Sequence, residues 1–299
     1  MTSKFITAVD RKLFKLNPQQ KWVKANLHYE VIMGSHAYGM NKDDSDMDIY
    51  GWCIPPKSYV LPHTEGYIHG FGPKPQGFDY FILHHVKDSS GKEFDFTIYS
   101  VVKYLDLVAE NNPNMIDSLF VPVNCITHMT ECAGILRDVR QSLLHKGAYH
   151  KFKGYAYSQI HKMRTKEKHD EMSTKRKESI EQFGYDVKFA SHSVRLIDEC
   201  EQILKDGDID LQRNNEQLKA IRRGEWTFER VLEHFAQKEK YLEQLYQASK
   251  LPERPDWDYL RGILLSILEH HYGSVSEVTR VDRNGMLLAE LQKLVDKYS

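Results

Sequence analysis

The sequence predicts an α+β fold in which a small mixed sheet with helices occupies residues 1–125 and an all-helical domain occupies residues 126–299. Three observations predict it. Period-two alternation of apolar and polar residues is confined to the first part of the chain. Glycine and proline crowd residues 62–77, as in a surface loop or hairpin between strands. Beyond Asn124, long charged stretches with helical periodicity run nearly to the end. A length of 299 residues accommodates about two domains.

Taken in order, residues 17–27 read as a short helix, and residues 28–33 as a strand that runs into Gly34-Ser35. A second strand fits residues 47–54 and stops at Pro55-Pro56, which lack the N–H groups a ladder needs. Further strands fit residues 79–85 and 93–100. Helices are expected near residues 130–145, 148–168, 186–205, 227–248, 256–271 and 285–297. Residues 151–195 hold eleven lysines and arginines against six aspartates and glutamates, so the helical half is locally basic, although a solvated helix face accounts for most such charges.

Composition narrows the function classes. The 41 basic and 42 acidic residues leave a net charge of -1, which gives no global attraction for a polyanion. No segment approaches the roughly 18 consecutive apolar residues of a membrane span, so a soluble, cytoplasmic protein is expected. The four cysteines, Cys53, Cys125, Cys132 and Cys200, lack C-x-x-C spacing and read as reduced core residues. Among the 15 histidines, His84-His85 and His270-His271 are adjacent pairs, whose rings are expected on different sides of a strand or helix rather than on one ion.

The segment that carries chemistry begins at Gly34-Ser35 and ends in Asp46-Met47-Asp48-Ile49. Glycine lets a strand end turn tightly and approach a ligand, while exposed amides and a hydroxyl suit a phosphate. With Met47 and Ile49 facing the core, Asp46 and Asp48 share the opposite face and point at one spot. Hard divalent cations take oxygen ligands and keep waters and substrate phosphates, so two or three carboxylates suffice. A third is available on residues 93–100, where Asp95 shares a face with Thr97 and Tyr99 while Phe94, Phe96 and Ile98 form the apolar face. Glu93 is expected on the other face. Burying Asp95 without a partner is costly, and a cation compensates it. Two simpler explanations compete: a solvated acidic turn over Asp43 to Asp46, and a calcium loop, which fails because Ile49 and Pro55 stand where glycine and glutamate are required.

Gly34-Ser35, ten intervening residues and Asp46-x-Asp48 together resemble the signature of the polymerase-beta nucleotidyltransferase superfamily. A closer resemblance covers most of the chain, to a bacterial and phage family of nucleotidyltransferases associated with RNA repair. The residues that carry it are Gly34 to Gly51, Asn112-Pro113-Asn114 with Ile116, Gly184-Tyr185-Asp186 with Lys188, Ala190, His192, Arg195 and Leu196, and Ile221-Arg222 with Gly224-Glu225. Phe189 departs from the histidine common in that family. The resemblance implies that Asp46, Asp48 and Asp95 are catalytic and hold two Mg2+ ions, with Mn2+ as a substitute. It also implies that Gly34 and Ser35 contact a nucleoside triphosphate, ATP or CTP being favoured.

The helix at residues 186–205 reads independently of that likeness. Lys188, His192, Arg195 and Glu199 fall on one narrow stripe of a largely apolar helix. Buried cations need an anion, so Lys188, His192 and Arg195 are nucleotide-binding candidates; an internal ion-pair network with Asp186, Asp198 or Glu199 explains them equally. Tyr155, Gln159, Lys162, Arg164 and Lys166 make a second surface that could stack bases and neutralise phosphates. The expected reaction is transfer of a nucleoside monophosphate to an acceptor hydroxyl with release of pyrophosphate, the acceptor being an RNA or tRNA 3′ end. The alternatives are a protein hydroxyl, as in adenylylating antitoxin-like relatives, and a catalytically silent RNA-binding module.

Overall fold

The computed structural model describes residues 2–42, 45–74, 77–164, 174–274, 276, 287–288 and 291–295. The chain opens with helix α1 (Lys4–Asp10), a single turn α2 (Trp22–Ala25) and strand β1 (Leu27–Ile32). The turn α3 (Gly34–Ala37) leads to β2 (Met47–Cys53), the turn α4 (Lys57–Val60), β3 (Tyr80–Lys87) and β4 (Glu93–Ser100). Helices α5 (Val101–Ala109) and α6 (Pro113–Phe120) precede β5 (Ile126–Met129). The remainder is helical: α7 (Glu131–Asp138), α8 (Gly147–Arg164), α9 (Thr174–Phe183), α10 (Val187–Asp206), α11 (Asn215–Arg222), α12 (Phe228–Ala248) and α13 (Trp257–Tyr272).

The fold is α+β with a mixed five-stranded sheet in the order β3-β4-β2-β1-β5. β2 and β4 run parallel, and every other neighbouring pair is antiparallel. Alternation along β2 and β4 places Ile49, Phe96 and Ile98 on one face, fully buried against Phe5 and Ala8 of α1. Phe5, Phe14, Phe81 and Phe96 pack there with ring centroids 5.5–5.9 Å apart. On the opposite face Tyr29, Val31 and Trp52 join the larger core, which continues through α5, α6, α8, α10 and α13. The carboxylates thus stand where the second face leaves that core.

Several elements differ from the sequence reading. Residues 17–27 give only a 3-10 turn at Pro18–Gln20 and the single turn α2, because Pro18 and the immediate entry into β1 leave no room for a longer helix. Strand structure does not end before Asn124, since β5 pairs with β1 at the sheet edge; four residues are too few for alternation to show. Helices α1, α5, α6, α9 and α11 are additional. The helix expected at residues 285–297 lies largely outside the described residues. All four cysteines are buried and free, and no described helix is long and apolar enough to cross a membrane.

Candidate functional site

The site is built where β2 and β4 lie side by side. Their parallel register makes Asp48 and Asp95 direct partners, as it does Ile49 and Phe96 on the other face. Two carboxylates therefore meet across adjacent strands, both half-buried. Asp46 precedes β2 by one residue and is exposed. Burial raises the pKa of Asp48, and the neighbouring negative charges of Asp95 and then Asp46 raise it further, while Lys188 and His84 act in the opposite sense. Burial and the neighbouring carboxylates thus make the Asp48 charge costlier than that of an ordinary aspartate.

β1 delivers the glycine-serine turn to the same place. The Met33 amide donates to the Asp48 carbonyl at 2.7 Å, extending the β1–β2 ladder to its last residue. Gly34 then adopts φ 61°, and a Cβ there would collide with Asp48 Oδ2. Glycine is required on both counts, conformation and close approach. Ser35 follows, half-buried, and its carbonyl accepts from the Met40 amide at 2.8 Å. Next to it, His36 Nε2 is buried with no hydrogen-bond partner, and burial together with the Lys92 ammonium lowers its pKa.

Lys188 reaches this cluster from the first turn of α10, close enough for its charge to act on Asp48. Asp186 caps that helix by accepting from the amides of Lys188 at 2.8 Å and Phe189 at 3.2 Å. The structure corrects the reading of Arg195. Its guanidinium is buried, bonded to Asp117 Oδ2 at 2.5 Å and to both oxygens of Glu199 at 2.8 Å, so it faces the interior rather than a ligand. His192, half-buried between Lys188 and Arg195, approaches Arg195 at 3.4 Å. Asp48, Asp95 and Gly34 are brought together, Asp46 and Lys188 lie close enough for their charges to act on Asp48, and Ser35 follows Gly34 in the turn; Arg195 is held in the interior. On the second candidate surface, Tyr155 is exposed and hydrogen-bonded to Asn112 at 3.1 Å. Lys166 and the side chains of Lys162 and Arg164 lie outside the described residues.

Around Asp95 the sequence reading missed three groups. β3 bulges between Leu83 and Val86, so that His84 and His85 together face Asp95. The His85 amide donates to Asp95 Oδ1 at 2.7 Å, His84 Nδ1 stands 3.4 Å from Asp95 Oδ2, and His85 Nδ1 meets Glu93 Oε1 at 2.5 Å. The extra residue of the bulge turns both rings outward, where a regular strand would have sent them to opposite faces. Glu93 also lies on the Asp95 face, since residues two apart on a strand share a side.

Compared with known proteins, the chain is similar to the crystal structure of a nucleotidyltransferase-like protein from Exiguobacterium sibiricum, with 8% identity, a TM-score of 0.30, and coverage of 98% of this chain and 90% of that one. No curated protein matches it. Residues 7–266 match the family described as RlaP, the RNA repair pathway DNA polymerase beta family. A match over that much of its length makes the chain a member of the RNA repair pathway DNA polymerase beta family, and so a nucleotidyltransferase of the polymerase-beta superfamily.

Proposed function

We propose that the protein transfers a nucleoside monophosphate from a nucleoside triphosphate, ATP or CTP, to the 3′ hydroxyl of an RNA, with tRNA as one candidate acceptor. The hydroxyl oxygen bonds to the α-phosphorus, the bond to the β-phosphate oxygen breaks, and pyrophosphate leaves. The observation that carries this reading is the register pairing of Asp48 with Asp95 beside Gly34, whose missing Cβ makes room for the Asp48 carboxylate. The RNA acceptor is supported by the description of the family to which the chain belongs.

The carboxylates are hard oxygen donors of the kind that divalent magnesium takes. Asp48 and Asp95 lie on adjacent strands with Asp46 just before β2, and burial followed by the neighbouring aspartates raises the Asp48 pKa, a cost that a cation would relieve. Asp46, Asp48 and Asp95 would hold two Mg2+ ions, with Mn2+ as a substitute. When bound, such ions supply charge to the transferring phosphoryl group and lower the pKa of the attacking hydroxyl. The protein's own groups bind and orient. The Ser35 hydroxyl donates to a triphosphate oxygen, Gly34 lets the phosphate come close, and the Lys188 ammonium offsets charge on the same side. His192 lies one turn beyond Lys188 on α10.

The test is incubation with Mg2+ and each labelled triphosphate, alone and with RNA. Label on the RNA 3′ end is the expected result; label on protein moves the acceptor to a protein hydroxyl, and nucleotide binding without pyrophosphate release supports a catalytically silent RNA-binding module. Asp95→Asn should fold normally and lose turnover on the order of a thousandfold, the scale at which removal of one preorganised charge-stabilising group is felt. Normal turnover in a folded Asp95→Asn protein refutes the assignment.

A further inference from the structure

The β3–β4 bulge gathers a donor set of a different kind from the three aspartates. A ring nitrogen of His85 and carboxylate oxygens of Glu93 and Asp95 all lie within 4.8 Å of one another. Both carboxylates are half-buried, with side-chain exposures of 22% for Glu93 and 27% for Asp95, whereas the His85 ring is 78% exposed and bonded to Glu93. Two carboxylates and one imidazole balance a divalent cation in charge and leave coordination positions for water.

The backbone is committed to this arrangement. His85 takes φ 59°, a left-handed conformation uncommon for histidine, while its amide bonds Asp95 Oδ1 at 2.7 Å. That one residue therefore orients the Asp95 carboxylate through its main chain and presents an imidazole beside it. Lys87 Nζ stands 3.6 Å from Glu93 Oε2, where its ammonium partly offsets the anionic charge.

We infer that His85, Glu93 and Asp95 form a binding site for a divalent first-row transition metal ion, selected over Mg2+ by the imidazole nitrogen. Magnesium accepts oxygen ligands almost exclusively, whereas manganese, iron and zinc also take imidazole. The inference goes beyond the nucleotidyl-transfer reading and shares only Asp95 with it. Lys87 tunes the affinity by competing for Glu93.

The experiment is pulsed EPR and equilibrium titration of the full chain with Mn2+ alone, without nucleotide. The wild type is expected to show nitrogen coupling to bound Mn2+ that excess Mg2+ does not abolish. His85→Asn suits the left-handed backbone and should lose the coupling and bind Mn2+ at least about tenfold more weakly. Asp48→Asn should keep the coupling, and Lys87→Gln should tighten binding. Manganese bound without nitrogen coupling overturns the inference, as does coupling that persists in His85→Asn or disappears in His84→Asn instead. Nitrogen coupling in a protein that releases no pyrophosphate would sink the proposed reaction and leave this site standing.

Discussion

At the scale of single residues, the balance of charge around Asp48 decides what the site can hold. Burial and the two neighbouring aspartates push its pKa up, and Lys188 is the first group acting to bring it down. Lys188→Met removes that offset, so the Asp48 pKa rises further and the carboxylate protonates at a higher pH as the solution is acidified. A ligand carboxylate must be ionised, so the acid limb of pyrophosphate release should move to higher pH in this variant, with kcat/KM for the triphosphate falling about tenfold or more at neutral pH. Measuring initial rates across the acidic range checks it. An acid limb that does not move would separate Lys188 from Asp48. That Asp48 and Asp95 each lie opposite apolar strand neighbours was legible in the sequence from a period of two, whereas their pairing across β2 and β4 is an inter-strand register that no local pattern states. His85 was not, because the bulge that turns it beside Asp95 is a pairing event between two strands, and no local pattern in His84-His85 announces it.

At the scale of elements, α1 illustrates what local sequence does not carry. Its N-terminus docks on Glu30 of β1, which is fully buried and accepts from Ser3 Oγ at 2.8 Å, the Lys4 amide at 2.5 Å and the Phe5 amide at 2.8 Å. Thr127 Oγ1 of β5 donates to the same carboxylate at 2.5 Å. A carboxylate at a helix start satisfies orphan amides and complements the dipole. Glu30→Ala would leave those donors buried and unpaired, and it should cost about 2–4 kcal/mol, read as a lower urea midpoint with an unchanged slope. A loss below about 0.5 kcal/mol would mean that α1 is held by its apolar contacts alone. The partner of this helix lies 26 positions away from Lys4, which is why α1 escaped the sequence reading while β2 and β4, specified by their own alternation, did not. Helix α6 carries a start signal that the sequence reading took only as part of the family likeness: Asn112 accepts from the Asn114 amide as the cap, and Pro113 occupies the first turn. Likewise Gly184 and Gly224, with φ of 79° and 76°, and the Asp186 cap are backbone punctuation within the two stretches, Gly184 to Leu196 and Ile221 to Glu225, that carry the family likeness.

At the scale of the whole molecule, one buried cluster ties the Gly34-Ser35 turn to the helical layer. Arg195 of α10 bonds Asp117 of α6 and Glu199 one turn further along its own helix, and its guanidinium lies 4.0 Å from the centre of the Tyr38 ring. Tyr38, which ends the turn begun at Gly34, donates its hydroxyl to Asp117 Oδ2 at 2.7 Å. Burial raises the pKa of Asp117 and Glu199 alike, and Arg195 is the largest opposing influence on each. The arginine therefore does two things: it keeps two buried carboxylates compatible with folding, and it fixes α10, whose Lys188 stands seven residues, or about two turns, away on the same face. Arg195→Met should leave both carboxylates uncompensated and cost about 3–5 kcal/mol, while Asp117→Asn removes one of those carboxylates in advance. The double variant should then lose less than the sum of the singles, by roughly 0.5–3 kcal/mol. Urea unfolding of the four proteins measures that coupling directly. Strict additivity would mean that Arg195 and Asp117 stabilise the protein independently, and the packing of α10 against the Gly34 turn would then need another cause, for which the Gln212 amide on the Ala37 carbonyl at 3.2 Å is the nearest alternative. If coupling is found, the same Arg195→Met protein, assayed under conditions where it is fully folded, should show a raised KM for the triphosphate, because Lys188 and the Gly34-Ser35 turn lose their common support.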